Sequence, residues 1–114
     1  MTDTTNLGPE DAKLITLARA SRARNAAAEG AAVRDETGRT YVATTVSLPS
    51  LRLSALQAAV AAAVSGEATA LEAAVIVTGA AQPTENDRAV LDDLKTRTVV
   101  IAALDGVPAS ITRR

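Results

Sequence analysis

Two continuous apolar runs, "EAAVIVTG" around Ala73 to Thr78 and "TVVIAAL" from Thr98, lie either side of a helix-length segment from Thr84 to Lys95. A strand covered on one face alternates apolar and polar residues, whereas a strand covered on both reads as an unbroken apolar run. In the segment between, Val90, Leu91 and Leu94 share one helical face, with Glu85, Arg88, Asp92, Asp93 and Lys95 mostly on the other. Strand, helix and strand in that order favour a right-handed crossover with the two strands as parallel neighbours. The chain is therefore an α/β protein.

The residues before this unit add further elements. Gly8-Pro9-Glu10-Asp11 opens a helix, with proline in the first turn and two acids at the positive end of the dipole. Leu14, Leu17, Ala18 and Ser21 mark its inner face, and Gly30 is the expected stop. Arg19, Arg22 and Arg24 near its end read as a solvated face that complements the dipole, with a phosphate-binding patch as the alternative. Ala31 to Asp35 and Arg39 to Val46 are β-forming runs joined through Glu36-Thr37-Gly38, a hairpin whose glycine supplies the positive φ. Pro49 and two serines break the chain before a second helix from Ser54 to Ser65, closed by Gly66. Leu53, Leu56, Val60 and Val64 form its stripe, and alanines fill nearly every other position. A helix apolar all round is expected to be buried. Asp105-Gly106 turns the chain back toward "ASITRR", leaving room for no more than a short last strand. The order is α-β-β-α-β-α-β in a single domain over 1–114, with 1–8 and 109–114 expected to be flexible ends.

Composition narrows the function. Phe and Trp are absent and there is one Tyr, so the core is built from Ala, Val, Leu and Ile. At roughly 25 cal/mol per Å² of apolar burial such small side chains each contribute little, which favours further burial between copies of the chain. A homo-oligomer, dimer or tetramer, is expected. The net charge of −1, with acids and bases interleaved, provides no field for nucleic acid or an anionic membrane. The longest apolar stretch, "ALQAAVAAAV", is too short to span a bilayer, and the polar N-terminus is no secretory signal, so a cytoplasmic protein is expected. Without a single Cys or His, the chain has no disulfide, no thiolate or imidazole metal ligand, and no cysteine or histidine nucleophile system. Ser-based acyl chemistry lacks a base, since Lys13 and Lys95 are the only lysines, and adjacent Asp92 and Asp93 point apart on their helix.

Three segments carry a resemblance: "GAAVRDETGRTY" at the hairpin, "AAVAAAVSG" along the second helix, and "PTENDRAVLDDL" at the start of the third. In order and spacing they resemble the small cytidine deaminase family, whose hairpin opens Gly-Ala-Ala, whose zinc-bearing helix ends Ala-Val-Ser-x-Gly, and whose third helix opens Pro-Cys-x-x-Cys-Arg. Pro83 and Arg88 are retained. The resemblance implies a cytidine-deaminase-like three-layer α/β/α sandwich and, because these deaminases are commonly homotetramers with the second helix near the shared centre, assembly through that helix. It also implies a zinc-bound water held by one Cys or His and two cysteines, with a glutamate moving protons. With a two-residue deletion before the second helix those ligand positions fall on Ser54, Thr84 and Asp87 and the glutamate on Leu56, whereas ungapped alignment moves the first ligand to Leu56, which is no better. The sugar-holding Asn-x-Glu aligns with Thr45-Val46-Ser47, and no stacking aromatic is available. Two hydroxyls and a carboxylate suit zinc poorly, so neither a metal nor a catalytic residue is assigned and no cofactor is expected.

What remains at these positions has a spacing of its own. Ser54-x-x-Gln57 and Thr84-x-x-Asp87 both follow the pattern in which an N-cap hydroxyl and the third helical side chain satisfy each other's amides. Self-capping is the main reading. The alternative is that Ser54, Thr84 and Arg88 bind a small anion between two converging helix starts. The sequence thus points to an inactive deaminase-like domain serving as an oligomeric structural or interaction module, with a binder of a nucleotide or other small anion in the vestigial pocket as the alternative.

Overall fold

The computed structural model describes residues 7–114. Of the N-terminal stretch expected to be flexible, 1–6 lie outside the described residues. Leu7 packs against the core and Gly8 caps the first helix. The elements are α1 (Pro9–Asn25), β1 (Gly30–Asp35), β2 (Thr40–Thr44), β3 (Val46–Leu48), β4 (Leu51–Leu53), α2 (Ala55–Ser65), β5 (Leu71–Val77), α3 (Glu85–Asp93), β6 (Thr98–Ala102) and β7 (Pro108–Arg113). Five strands form one sheet in the order β2-β1-β5-β6-β7, and β5 and β6 are the parallel pair joined by the α3 crossover.

Alternation along the inner strands sorts the core into two layers. Ala73, Val75 and Val77 of β5 and Ala32 of β1 meet Leu14, Ile15 and Ala18 of α1. Ala74 and Ile76, with Ala31 and Val33, meet Leu56, Ala59, Val60 and Ala63 of α2 and Leu91 of α3 on the opposite face. An inner strand buried on both sides has no polar position to spare, which is why β5 and β6 read as continuous apolar runs. The layers lie close together. A Cβ on Gly30 would sit 2.3 Å from the Ala18 carbonyl oxygen of α1, so this glycine lets helix and strand touch. It was expected to stop the helix, but α1 ends earlier, at Asn25, where Ala26 adopts φ 48° and Ala27 N donates to the Arg22 carbonyl. Ala26 takes the left-handed conformation that a glycine usually marks, so no local residue type signals the stop.

Four further expectations change. Residues 109–114, expected to be a loose end, belong largely to β7, an antiparallel partner of β6 that places Ile111 fully in the core. The short last strand for which the chain had room is present, because one buried isoleucine on a ready sheet edge suffices. The segment interrupted by Pro49 is a second, two-stranded hairpin of β3 and β4, with Leu48 and Leu51 exposed at its tip. Nor is α2 buried all round: Ala61, Ala62 and Val64 face outward, because α1 lies across the sheet and cannot cover them. Helix α3 stops at Asp93 rather than Lys95, which takes φ 50° while the Thr96 hydroxyl and amide both donate to the Leu91 carbonyl. Among the described residues no helix is long and apolar enough to cross a membrane.

The hairpin turn is fastened by buried polar groups. Asp35, fully buried, accepts hydrogen bonds from the Thr37 amide and hydroxyl, the Arg39 amide and the Tyr41 hydroxyl at 2.7–3.1 Å. Glu36 accepts from the amides of Thr69 and Ala70, which locks the turn to the loop before β5. On the other side Arg34 bridges Asp11 of α1 and Glu72 of β5, each at 3.0 Å. Burial pushes the Asp35 carboxyl up, but the hydrogen bonds from Thr37, Arg39 and Tyr41 outweigh it and hold its pKa below the ordinary value. A depressed folded-state pKa contributes stability above the unfolded carboxylate value of about 3.9, and that contribution disappears as pH falls through the folded value. Asp35→Asn is therefore expected to cost about 1–3 kcal/mol at neutral pH and to flatten the acid limb of stability below about pH 4. Urea titrations across the acid range check this; parallel wild-type and variant profiles would show that Asp35 does not couple folding to protons.

Candidate functional site

The C-terminal end of β5 leads through residues 78–84 into α3, and the start of α2 lies beside the start of α3. Ser54 takes extended backbone angles and caps α2: its hydroxyl accepts from the Gln57 amide at 3.0 Å, and the Gln57 side chain accepts from the Ser54 amide at 2.9 Å. The capping box read from Ser54-x-x-Gln57 is complete. Thr84 caps α3 in the same way, accepting from the Asp87 amide at 3.1 Å. Here the second half of the box is not made. The Asp87 carboxylate accepts the hydroxyl proton of Ser54 instead, at 2.6 Å, across the gap between the two helices. Asp is one methylene shorter than the Glu that normally reaches back, and the neighbouring helix offers a closer donor.

All three positions aligned with zinc ligands thus come together. Ser54 and Asp87 are bonded directly, and Thr84 holds the amide of Asp87. Asp87 is only 2% exposed, and Leu56, at the glutamate position, is fully buried in the α2 layer. Among the described residues no group of three or more His, Cys, Asp or Glu side chains could hold a metal ion. A hydroxyl already shared between an amide and a carboxylate, a second hydroxyl capping a helix and one carboxylate do not fit zinc, which selects imidazole and thiolate.

Arg88 does not join this cluster. Its guanidinium donates to Gln82 at 2.7 Å and lines an open cleft between α3 and β7, away from the Ser54 hydroxyl. The expected grouping of Ser54, Thr84 and Arg88 around one anion is therefore not formed, and the amides such an anion would need are occupied by the caps. Conversely, sequence reasoning overlooked Glu29 and Thr78. The Thr78 hydroxyl, at the end of β5, donates to the Glu29 carboxylate at 2.8 Å, and the Glu29 amide donates to the Thr45 hydroxyl at 3.0 Å. The only available signal was the position of Glu29 directly before Gly30.

The family model described as cytidine deaminase-like matches residues 7–106. The chain belongs to the cytidine deaminase-like family. Among solved structures it is similar to cytidine deaminase from Burkholderia pseudomallei, at 22% identity and a TM-score of 0.75, over 89% of this chain and 90% of that one. It is also similar to cytidine deaminase from Mycobacterium leprae, at 23% identity and a TM-score of 0.68 with the same coverage. At these identities the likeness is one of fold. No curated protein matches the chain. Within the cytidine deaminase-like fold, then, a hydroxyl-to-carboxylate bond joins the two helix starts.

The bond between Ser54 and Asp87 has an energetic signature. Ser54→Ala removes a cap worth about 1 kcal/mol and a hydrogen bond to a charged group worth about 1.5–3 kcal/mol. A double-mutant cycle of Ser54→Ala and Asp87→Ala in urea is expected to show coupling of about 1–3 kcal/mol. The cycle of Thr84→Ala and Asp87→Ala should be nearly additive, because those side chains do not bond each other. The reverse ranking would contradict the cross-helix bond.

Proposed function

We propose that this cytidine deaminase-like protein has left deaminase chemistry and serves as an oligomeric structural or interaction module. The observation that carries the reading is the 2.6 Å bond between Ser54 and Asp87, which unites two ligand-equivalent positions as a structural link. Deamination of cytidine needs an activated water and a group that moves protons. Leu56 stands in the proton-moving position and the donor set does not suit zinc. The carboxylate of Asp87 between the helix starts also opposes an anion in the vestigial pocket, which weakens the alternative reading there.

Assembly is the second half of the proposal. The outer face of α2 presents Ala61, Ala62 and Val64, and the β3–β4 hairpin adds exposed Leu48 and Leu51. Small side chains let helices approach closely, and a second copy of the same face would bury a patch that this chain leaves in water. Ala59 of the same helix is fully buried within the chain, so a charge there would test folding rather than assembly.

Two measurements test the proposal. Protein purified without a histidine tag is expected to hold no stoichiometric zinc and, with zinc added, to produce no uridine from cytidine above background; either one present would sink the non-deaminase reading. Light scattering at micromolar concentration should show a dimer or tetramer, and Ala62→Glu should shift it toward a smaller species while leaving the far-ultraviolet circular dichroism unchanged. A monomeric parent would remove the assembly claim alone.

A further inference from the structure

Strand β7 is an edge strand with two unlike faces. Ile111 points into the α1 layer, so by strand alternation Ser110 and Thr112 face the α3 side. Helix α3 does not extend over them. An open cleft of about 470 Å³ lies there, with Ser110 and Thr112 on its floor beside Val99, and Leu91 of α3 on its wall. Val99 and Leu91 are 6% and 2% exposed, so the apolar part of the lining is anchored in the core. The volume falls within the roughly 300–1,000 Å³ of small-molecule sites and is too small for a folded partner.

Both charged groups of positive sign in this lining are held in place. Arg88 donates to Gln82 at 2.7 Å, and Arg114 donates to Asp92. A guanidinium carries five N–H donors in a planar fork, so one bond orients it and leaves others for a ligand. The lining side chains carry two guanidinium groups and one carboxylate, that of Asp92, which Arg114 pairs. Hydroxyls on the floor add donors, while Pro83, Leu91 and Val99 offer an apolar surface.

We propose that the cleft between α3 and β7 binds a small organic anion, its carboxylate or phosphate held by Arg88 and Arg114 and its apolar body resting on Pro83, Leu91 and Val99. The site is separate from the Ser54–Asp87 link and does not depend on whether the chain deaminates or assembles. It gives Arg88 a ligand-binding role on the side of α3 that faces β7. A neutral molecule of the same shape gains the apolar contact but no charge-assisted hydrogen bond, so the site discriminates by charge.

Nuclear magnetic resonance titration of the whole chain with benzoate, phenyl phosphate and neutral benzamide tests this. Benzoate or phenyl phosphate is expected to move the amide signals of Gln82, Arg88, Leu91, Ser110 and Thr112, with benzamide weaker by about tenfold or more. The stronger of the two anions identifies the preferred head group. Arg88→Gln and Arg114→Gln should each weaken that anion by about tenfold, whereas Arg24→Ala, on α1 across the sheet, should not. Three results overturn the proposal: no anion-dependent shifts at millimolar concentration, equal binding of benzamide, or shifts centred on Ser54, Gln57 and Thr84. The comparison between anion and amide uses the unaltered protein, so it stands even if a variant folds poorly.

Discussion

A core without Phe or Trp holds together only if its layers come very close, and that constraint shapes most of this molecule. A buried alanine removes little apolar surface from water, so stability has to come from backbone-distance contact and dense packing. Gly30 against the Ala18 carbonyl is the extreme case. The same closeness lets side chains as short as Ser54 and Asp87 span two helices, a gap that longer residues would otherwise have to fill. It also explains why α2 can carry alanine on both faces while only its inner half lies in the core.

Polar groups do the joining that aromatic rings perform in other small domains. Asp35 gathers the hairpin turn, Glu36 fastens it to the chain entering β5, and Arg34 ties α1 to the sheet on the opposite side. Asp35 is buried and Arg34 half-buried, and both are bonded, which avoids the cost of an isolated polar group in a low-dielectric interior, while Glu36 makes its bonds at the surface. One atom departs from the pattern: Nη1 of Arg34 is buried without a partner, although the same guanidinium makes two ion pairs.

Much of this was legible in the sequence, for identifiable reasons. The parallel pair β5 and β6 was visible because apolar runs of strand length flanked an amphipathic helix, and the hairpin because Gly38 marked its turn. The start of α2 was visible because a capping box is local. The start of α3 was only half visible: its N-cap follows from local spacing, but the partner of Asp87 is 33 residues away, and no local pattern encodes that choice. Strand β7 was legible only as room for a short last strand, because its evidence is one isoleucine between hydroxyls, meaningful only once β6 offers an edge. The place of Arg88 was missed, since family spacing located its backbone but not the direction of its guanidinium.

The link between Ser54 and Asp87 also bears on substitution at the helix starts. A zinc site built on these three positions would need thiolate or imidazole at each of them, and no single replacement supplies one. Changing Ser54 alone strips the α2 cap and leaves a buried carboxylate without its donor; changing Thr84 alone strips the other cap; changing Asp87 alone unties the helices. Each single change removes a bond that the fold uses and adds no metal site. The three positions are thus tied to one another, so that a substitution at any of them is felt first by the fold.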